Sequence, residues 1–247
     1  MTPEEAALYA KVHDGAPGDV AFYRARTEGV GRVLELGSGW GRVASALGCR
    51  EVVGLESDPG MRALAKEQGF ASVEGDMRDF SLGQFDKVII PFTGIYCLLS
   101  EADLSACLSS VRRGLAPGGE LIFDAYAADK FHAECLPEDY ADIRREIVAE
   151  IEHDGATLTV WERSTWDRDA QRMDATYTYD DPYGHTMGEI EIGHRYLLID
   201  QLEPVLAEAG LSLVSVAGSF EGEPFDVETS GSLVVTACAA EEAALGG

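Results

Sequence analysis

Apolar residues fall in short unbroken runs through the first half of the chain and at alternate positions through much of the second, which predicts two different β-sheets. Arg32–Leu36 (RVLEL) is a run stopped by a glycine cluster, the mark of a strand buried on both faces. Val52–Glu56, Ala71–Glu74 and Lys87–Ile90 read as the second to fourth strands, and Pro59 stands where a helix starts. Glu101–Leu115 has helical spacing, with Leu104, Leu108, Val111 and Leu115 on one stripe. Pro117-Gly118-Gly119 ends it, and Glu120–Tyr126 forms a fifth strand. Strands alternating with helices predict an α/β domain with a mostly parallel sheet covered on both faces.

From about residue 144 to 197 the period becomes two. Asp154-Gly155 separates two strand-like runs as a hairpin turn does. Met173, Ala175, Tyr177 and Tyr179 alternate with polar residues, as do Ile190, Ile192, His194 and Tyr196. Three or four antiparallel strands are therefore expected as an insertion. Asp200–Ala209 follows as a helix ended by Gly210, and Leu211–Ala217 and Ser232–Ala239 complete the main sheet. Glu241–Gly247 reads as a frayed tail. The expected organisation is a helical cover over 1–30, a core over 31–126 and 198–240, and an inserted sheet over 127–197.

Composition narrows the partners. With 44 acidic against 19 basic residues the chain carries a net charge of −25, a field that repels nucleic-acid backbones. No apolar run spans a bilayer, and Met1-Thr2-Pro3-Glu4-Glu5 carries no secretory pattern, so a cytoplasmic location without membrane attachment is expected. The five cysteines are scattered, without C-x-x-C spacing, and read as small buried hydrophobes rather than a disulfide framework or zinc site. No His-based metal spacing is present, and no metal is expected.

The strongest chemical signal is Leu34-Glu35-Leu36-Gly37-Ser38-Gly39-Trp40-Gly41-Arg42, between a predicted strand and a predicted helix. Glycine there lets the backbone turn and a ligand approach where a Cβ would clash, although tight strand-to-helix turns also use glycine for packing alone. Glu56 ends the second strand, where a carboxylate can accept both hydroxyls of a ribose. Asp76 follows the third strand, where it can accept from an adenine amino group. Each acid alone reads equally as a helix cap or turn carboxylate. The spacing G-x-G-x-G, one residue short of G-x-G-x-x-G, disfavours a dinucleotide oxidoreductase.

Taken in order, VLELGSGWGR, VVGLESDPGM, VEGDMRDF, FDKVIIPF and LAPGGELIFD resemble the class I S-adenosylmethionine-dependent methyltransferases over residues 32–126. The resemblance implies a Rossmann-like seven-stranded sheet with helices on both faces, plus an antiparallel lid inserted after strand five. It implies S-adenosylmethionine as cofactor, with S-adenosylhomocysteine as product. Glu35 to Gly41, with Gly37, Ser38 and Gly39 among them, are implied around the methionine portion, Glu56 at the ribose, and Asp76 and the Met77 backbone at adenine, with Arg42, Ser57 and Met61 as further cofactor contacts. Ile90 to Phe92 are implied beside the sulfonium. Trp40 stands where relatives often carry a smaller residue.

The N-terminal segment, with Tyr9, His13 and Tyr23, resembles the cover of small-molecule N-methyltransferases, including those acting on amino-sugar nucleotides and the glycine type. Tyr9 and Tyr23 then close over the cofactor or serve helix packing. His13 is a candidate general base or a surface residue. Tyr96, in the loop after strand four, either donates to a substrate oxygen or packs under the next helix. Arg195 either pairs with a substrate carboxylate or with an acid of the protein. Trp161, Trp166, Tyr177, Tyr179, His194 and Tyr196 either roof a pocket or leave one sheet face for a homodimer. The expected reaction is methyl transfer to a small molecule, an amine nitrogen before a hydroxyl or carboxylate. A peptide or protein side chain, or a cofactor-binding protein without turnover, are the alternatives.

Overall fold

The computed structural model describes residues 1–136 and 145–240. The expected strand start at 144, Ile143 and the tail Glu241–Gly247 lie outside them. The chain begins with helices α1 (Pro3–Val12) and α2 (Asp19–Thr27). Thr2 and Glu5 form a reciprocal capping box at the start of α1. Strands β1 (Arg32–Leu36), β2 (Glu51–Glu56), β3 (Val73–Glu74), β4 (Phe85–Ile90) and β5 (Leu115–Tyr126) follow, with α3 (Pro59–Glu67) and α4 (Glu101–Gly114) between them. Asp58 caps α3 by accepting the Met61 N–H, and Ser100 caps α4 by accepting that of Asp103.

The main sheet has the order β10-β11-β5-β4-β1-β2-β3, with β10 (Leu211–Ala217) and β11 (Ser232–Ala239) antiparallel to their neighbours and the rest parallel. Sequence order reverses between β1 and β4, and in such sheets ligands bind at the carboxyl ends of the strands at that switch. Alternate residues of the strands enter separate cores. Leu34, Leu36, Val88, Ile90, Leu121 and Phe123 pack with α4 and with α6 (Ile199–Glu208). Val33, Ile89 and Ile122 pack with Tyr23 of α2.

After the short α5 (Asp129–Glu134), a separate antiparallel sheet runs in the order β6 (Glu146–His153), β7 (Ala156–Asp167), β8 (Arg172–Asp180) and β9 (Thr186–Arg195). The hairpin at Asp154-Gly155 has positive φ at both positions (50° and 81°), the twist two-residue turns require. The inward face of this sheet is divided. Ile151, Leu158, Val160, Tyr179 and Ile190 pack on Leu8, Tyr9 and Val12 of α1. Glu162, Ser164, Tyr177, Ala175, Ile192 and His194 continue the same face beyond α1, in register across β7, β8 and β9.

Two expectations need correction. The helix expected after the glycine loop is only a 3₁₀ turn at Ala44–Ala46. Nine residues separate Gly41 from Glu51 with Gly48 among them, too few for a helix and its return. Strand β5 also begins earlier than Glu120, running through Pro117-Gly118-Gly119 with a register shift. A Cβ on Gly119 would lie 2.9–3.1 Å from three backbone oxygens, so only glycine passes there.

Candidate active site

Two cavities lie at the carboxyl end of the sheet. The first, of about 550 Å³, is lined by the loop after β1, the end of β2, the turn after β3 and the loop after β4. Tyr9, Glu35, Gly37, Ser38, Gly39, Trp40, Arg42, Glu56, Ser57, Met61, Asp76, Met77 and Phe92 all face it. Gly37 and Gly39 hold φ of +66° and +52°, and around Gly39 no atom lies within 4 Å of where a Cβ would stand. Glu56 ties the loop to α3, accepting the Gly39 N–H at 2.7 Å on one oxygen and that of Asp58 at 2.8 Å on the other. Burial raises its pKa above the usual carboxylate range. Asp76 sits at the rim, half-exposed, and Arg78 holds its pKa down through bonds of 2.5–3.0 Å.

Beneath the loop is an ion network that sequence reading missed. Arg42 makes a bidentate pair with buried Asp19 at 2.9 and 2.6 Å. Burial pushes Glu35 up to about 8, and its Oε2 is buried with no hydrogen-bond partner. Asp124, on β5, accepts from the Tyr23 hydroxyl at 2.7 Å and from the Phe92 N–H at 2.9 Å. Those bonds hold Phe92 and Thr93 at φ of 51° and 64°, a conformation non-glycine residues take only where neighbours enforce it. An acid inside the apolar stretch LIFDAY was the available signal for Asp124.

The second cavity, of about 800 Å³, lies between α1, the loop after β4 and the inward face of the four-stranded sheet. His13, Tyr126, Glu146, Glu162, Ser164, Tyr177 and His194 give it a polar lining. His13 ends α1, its ring 4.2 Å from Tyr9 and edge-on to Tyr177 at 4.6 Å between centroids. Its Nε2 is buried without a partner. Burial presses His13 and His194 down to about 4, so both are neutral at pH 7. The two cavities share Tyr9, Phe92, Cys97 and Ile192 as a common wall.

Other sequence candidates do not reach either cavity. Tyr23 is buried under the loop on Asp124, not over the cavity. Gly41 serves packing: at φ +82°, a Cβ there would stand 2.7 Å from the Phe70 ring. The Ile90 side chain is in the core. The Tyr96 hydroxyl is buried, 3.2 Å from the Tyr126 and Leu197 carbonyl oxygens. Arg195 pairs with Glu101 at 2.8 Å. Of the six expected roof residues only Tyr177 and His194 line the second cavity. Trp166, Tyr179 and Tyr196 are buried in the cores, and Trp161 lies under Arg145.

The profile of a family described as a methyltransferase domain matches residues 33–119, which contain the glycine loop, Glu56 and Asp76. The chain is an S-adenosylmethionine-dependent methyltransferase. Its cofactor is S-adenosylmethionine. It is 28% identical over 236 residues to a dTDP-3-amino-3,6-dideoxy-alpha-D-glucopyranose N,N-dimethyltransferase of Streptomyces fradiae, covering 89% of this chain and 88% of the relative. Among solved structures it resembles the CcbJ methyltransferase of Streptomyces caelestis, with a TM-score of 0.75 and 25% identity over 94% of this chain and 96% of the other. It also resembles CalS10, an amino pentose methyltransferase of Micromonospora echinaspora solved with S-adenosylmethionine bound. There the TM-score is 0.64 and the identity 26%, covering 96% and 97%. Among the described residues of this methyltransferase, no helix is long and apolar enough to cross a membrane.

Proposed function

We propose that this methyltransferase methylates the nitrogen of a small-molecule amine, an amino sugar by analogy with its relatives. The observation that carries the reading is the pair of cavities with a common wall at Tyr9, Phe92, Cys97 and Ile192. One is suited to the cofactor and the other, roofed by α1 and the four-stranded sheet, to a compact acceptor. The residues present fit S-adenosylmethionine: Glu35 offers an unpaired buried oxygen, Gly39 leaves open space, and Glu56 lines the same cavity. In this reading Glu35, Gly37, Ser38, Gly39 and Arg42 hold the methionine portion, and Glu56, Ser57 and Met61 the ribose side. Asp76 and Met77 hold adenine. The acidic field of the chain supports a small acceptor over nucleic acid, and the free thiols of Cys49, Cys97, Cys107 and Cys238 suit a reducing cytoplasm.

When bound, the cofactor supplies an electrophilic methyl carbon on a positively charged sulfur. The protein aligns the reacting atoms and keeps water out. Tyr9 and Phe92 offer aromatic faces to positive charge at the shared wall. The acceptor amine reacts in its neutral form, which has a lone pair to give. The unpartnered His13 Nε2 accepts an N–H of that amine and so turns the lone pair toward the methyl. A group held at about 4 is too weak a base to deprotonate an ammonium at neutral pH, so His13 orients rather than abstracts. The nitrogen lone pair would take up the methyl carbon that the cofactor supplies, the S–C electron pair staying with sulfur, and the ammonium so formed would give its extra proton to solvent as the product leaves the cavity. Transfer of an isotope-labelled methyl group to a panel of small amines and matched alcohols tests this. Label on nitrogen is expected; label only on oxygen contradicts it.

A further inference from the structure

The Streptomyces fradiae relative is named for a sugar carried on a nucleoside diphosphate. The second cavity of this chain has electrostatics that oppose such a carrier. Two carboxylates face it, Glu162 beside His13 and Tyr177, and Glu146 nearer solvent. Helix α1 meets the cavity at its carboxyl end, where His13 is the cap residue, and that end of a helix favours cations. The backbone donors of the loop after β4 are already spent: Phe92 N–H on the Asp124 side chain and Thr93 N–H on the Asp124 carbonyl. Among the described residues lining this cavity there is no lysine or arginine. The arginines of the adjoining cavity, Arg42 and Arg78, are paired with Asp19 and with Asp76 and Asp103. A diphosphate brings two negative charges and needs guanidinium, ammonium or clustered N–H donors. An amine brings the opposite sign. Around the whole site the chain carries a net charge of −25, which lowers the local concentration of polyanions and raises that of cations.

We propose that the acceptor is a phosphate-free amino glycoside whose nitrogen is held by Glu162, and that sugars carried on a nucleoside diphosphate are excluded by charge. This rests on the N-methylation reading and adds the substrate class. Glu162 also balances the positive charge that moves from sulfur to nitrogen during transfer, so it recognises the amine and its methylated product alike. It has a cross-strand partner in Tyr177, and Ser164 donates to its Oε1 at 2.7 Å, which holds the carboxylate toward the cavity. The reaction that supplies such an acceptor is then a glycosyl transfer that has already released the nucleotide.

The test is a calorimetric titration of the full chain loaded with S-adenosylhomocysteine. Four probes are compared: 3-amino-3,6-dideoxyglucose as its methyl glycoside, the same sugar on thymidine diphosphate, and the 3-hydroxy counterpart of each. The amino methyl glycoside is expected to bind at least about tenfold more tightly than the diphosphate form at low salt, with the gap narrowing as salt is added. Glu162→Gln, which keeps the side-chain shape, is expected to weaken the amino methyl glycoside about tenfold or more while S-adenosylhomocysteine affinity is unchanged. If the diphosphate form binds equally or better, the charge argument is overturned and N-methylation stands. If the hydroxy sugars bind as well as the amino sugars, the N-methylation reading itself fails. Binding of none of the four overturns the amino glycoside assignment.

Discussion

The two cavities obey one physical rule with opposite outcomes. In the cofactor cavity and the ion network beneath it, burial pushes carboxylates up, Glu35 to about 8 and Asp124 to about 6. In the acceptor cavity, burial presses imidazoles down, His13 and His194 to about 4. Removing water disfavours whichever form is charged, so acids hold their protons to higher pH and histidines release theirs at lower pH. The cofactor side holds two guanidinium groups, Arg42 and Arg78, each paired with acids, while the acceptor side holds neutral rings next to Glu162. One region is prepared for a ligand that carries cationic groups of its own; the other for an amine that must arrive or become uncharged. The difference comes from which residues the chain places in each region, not from different degrees of burial.

The comparison breaks most readily at Arg42. Replacing it with Met leaves Asp19, almost wholly buried, without its bidentate partner beside Glu35 and Asp124. A loss of about 3–5 kcal/mol is expected in chemical denaturation. A loss under about 1 kcal/mol would mean that the network is not the support of the glycine loop described above.

A pH series sharpens the contrast. His13 and His194 have folded pKa values near 4, below the ordinary 6.5, so the unfolded chain binds more protons between those values. Their contribution to stability is complete above about pH 6.5 and is lost as pH falls toward 4, by an order of about 2–3 kcal/mol for His13. Glu35 acts in reverse. Its folded pKa near 8 lies above the ordinary 4.5, so stability is greatest below 4.5 and declines as pH rises through 8. Denaturation midpoints across pH should therefore show His13→Leu flattening the acid side and Glu35→Gln flattening the alkaline side. The same slope change from both variants would show that the cavities are not protonically distinct.

The smallest effect is expected at Tyr23→Phe. It removes one donor from Asp124 but leaves the Phe92 N–H, so a stability loss of about 1–3 kcal/mol is expected. Weaker protection of the Phe92 and Thr93 amides in hydrogen exchange should accompany it, because Asp124 holds that strained turn. Unchanged protection would assign the turn to some other restraint.

The main sheet and the hairpin were legible because their signals are local. Arg32–Leu36 ends at glycines, Asp154-Gly155 makes its own turn, and alternation along β8 and β9 declares which side faces inward. The cofactor cavity was legible for the same reason, since Gly37, Gly39, Glu56 and Asp76 each follow a strand whose end points to one crevice. What stayed hidden depends on residues distant in sequence. Asp19 gains meaning only from Arg42, and Asp124 from Tyr23 and Phe92. Tyr96 and Arg195 sit at suggestive loop positions, but tertiary packing gives them the Leu197 carbonyl and Glu101. Glu162 had a quiet signal, a charge on the same strand face as Val160 and Ser164, visible once that face is known to look inward.

The central claim is that cofactor and acceptor occupy adjoining cavities and meet at Tyr9, Phe92, Cys97 and Ile192. A crystal structure with S-adenosylhomocysteine bound tests it most directly. The account predicts the nucleoside between Glu56 and Met77, with the sulfur at the shared wall and open to the cavity holding His13 and Glu162. A ligand seated elsewhere, or a sulfur walled off from that second cavity, would contradict it.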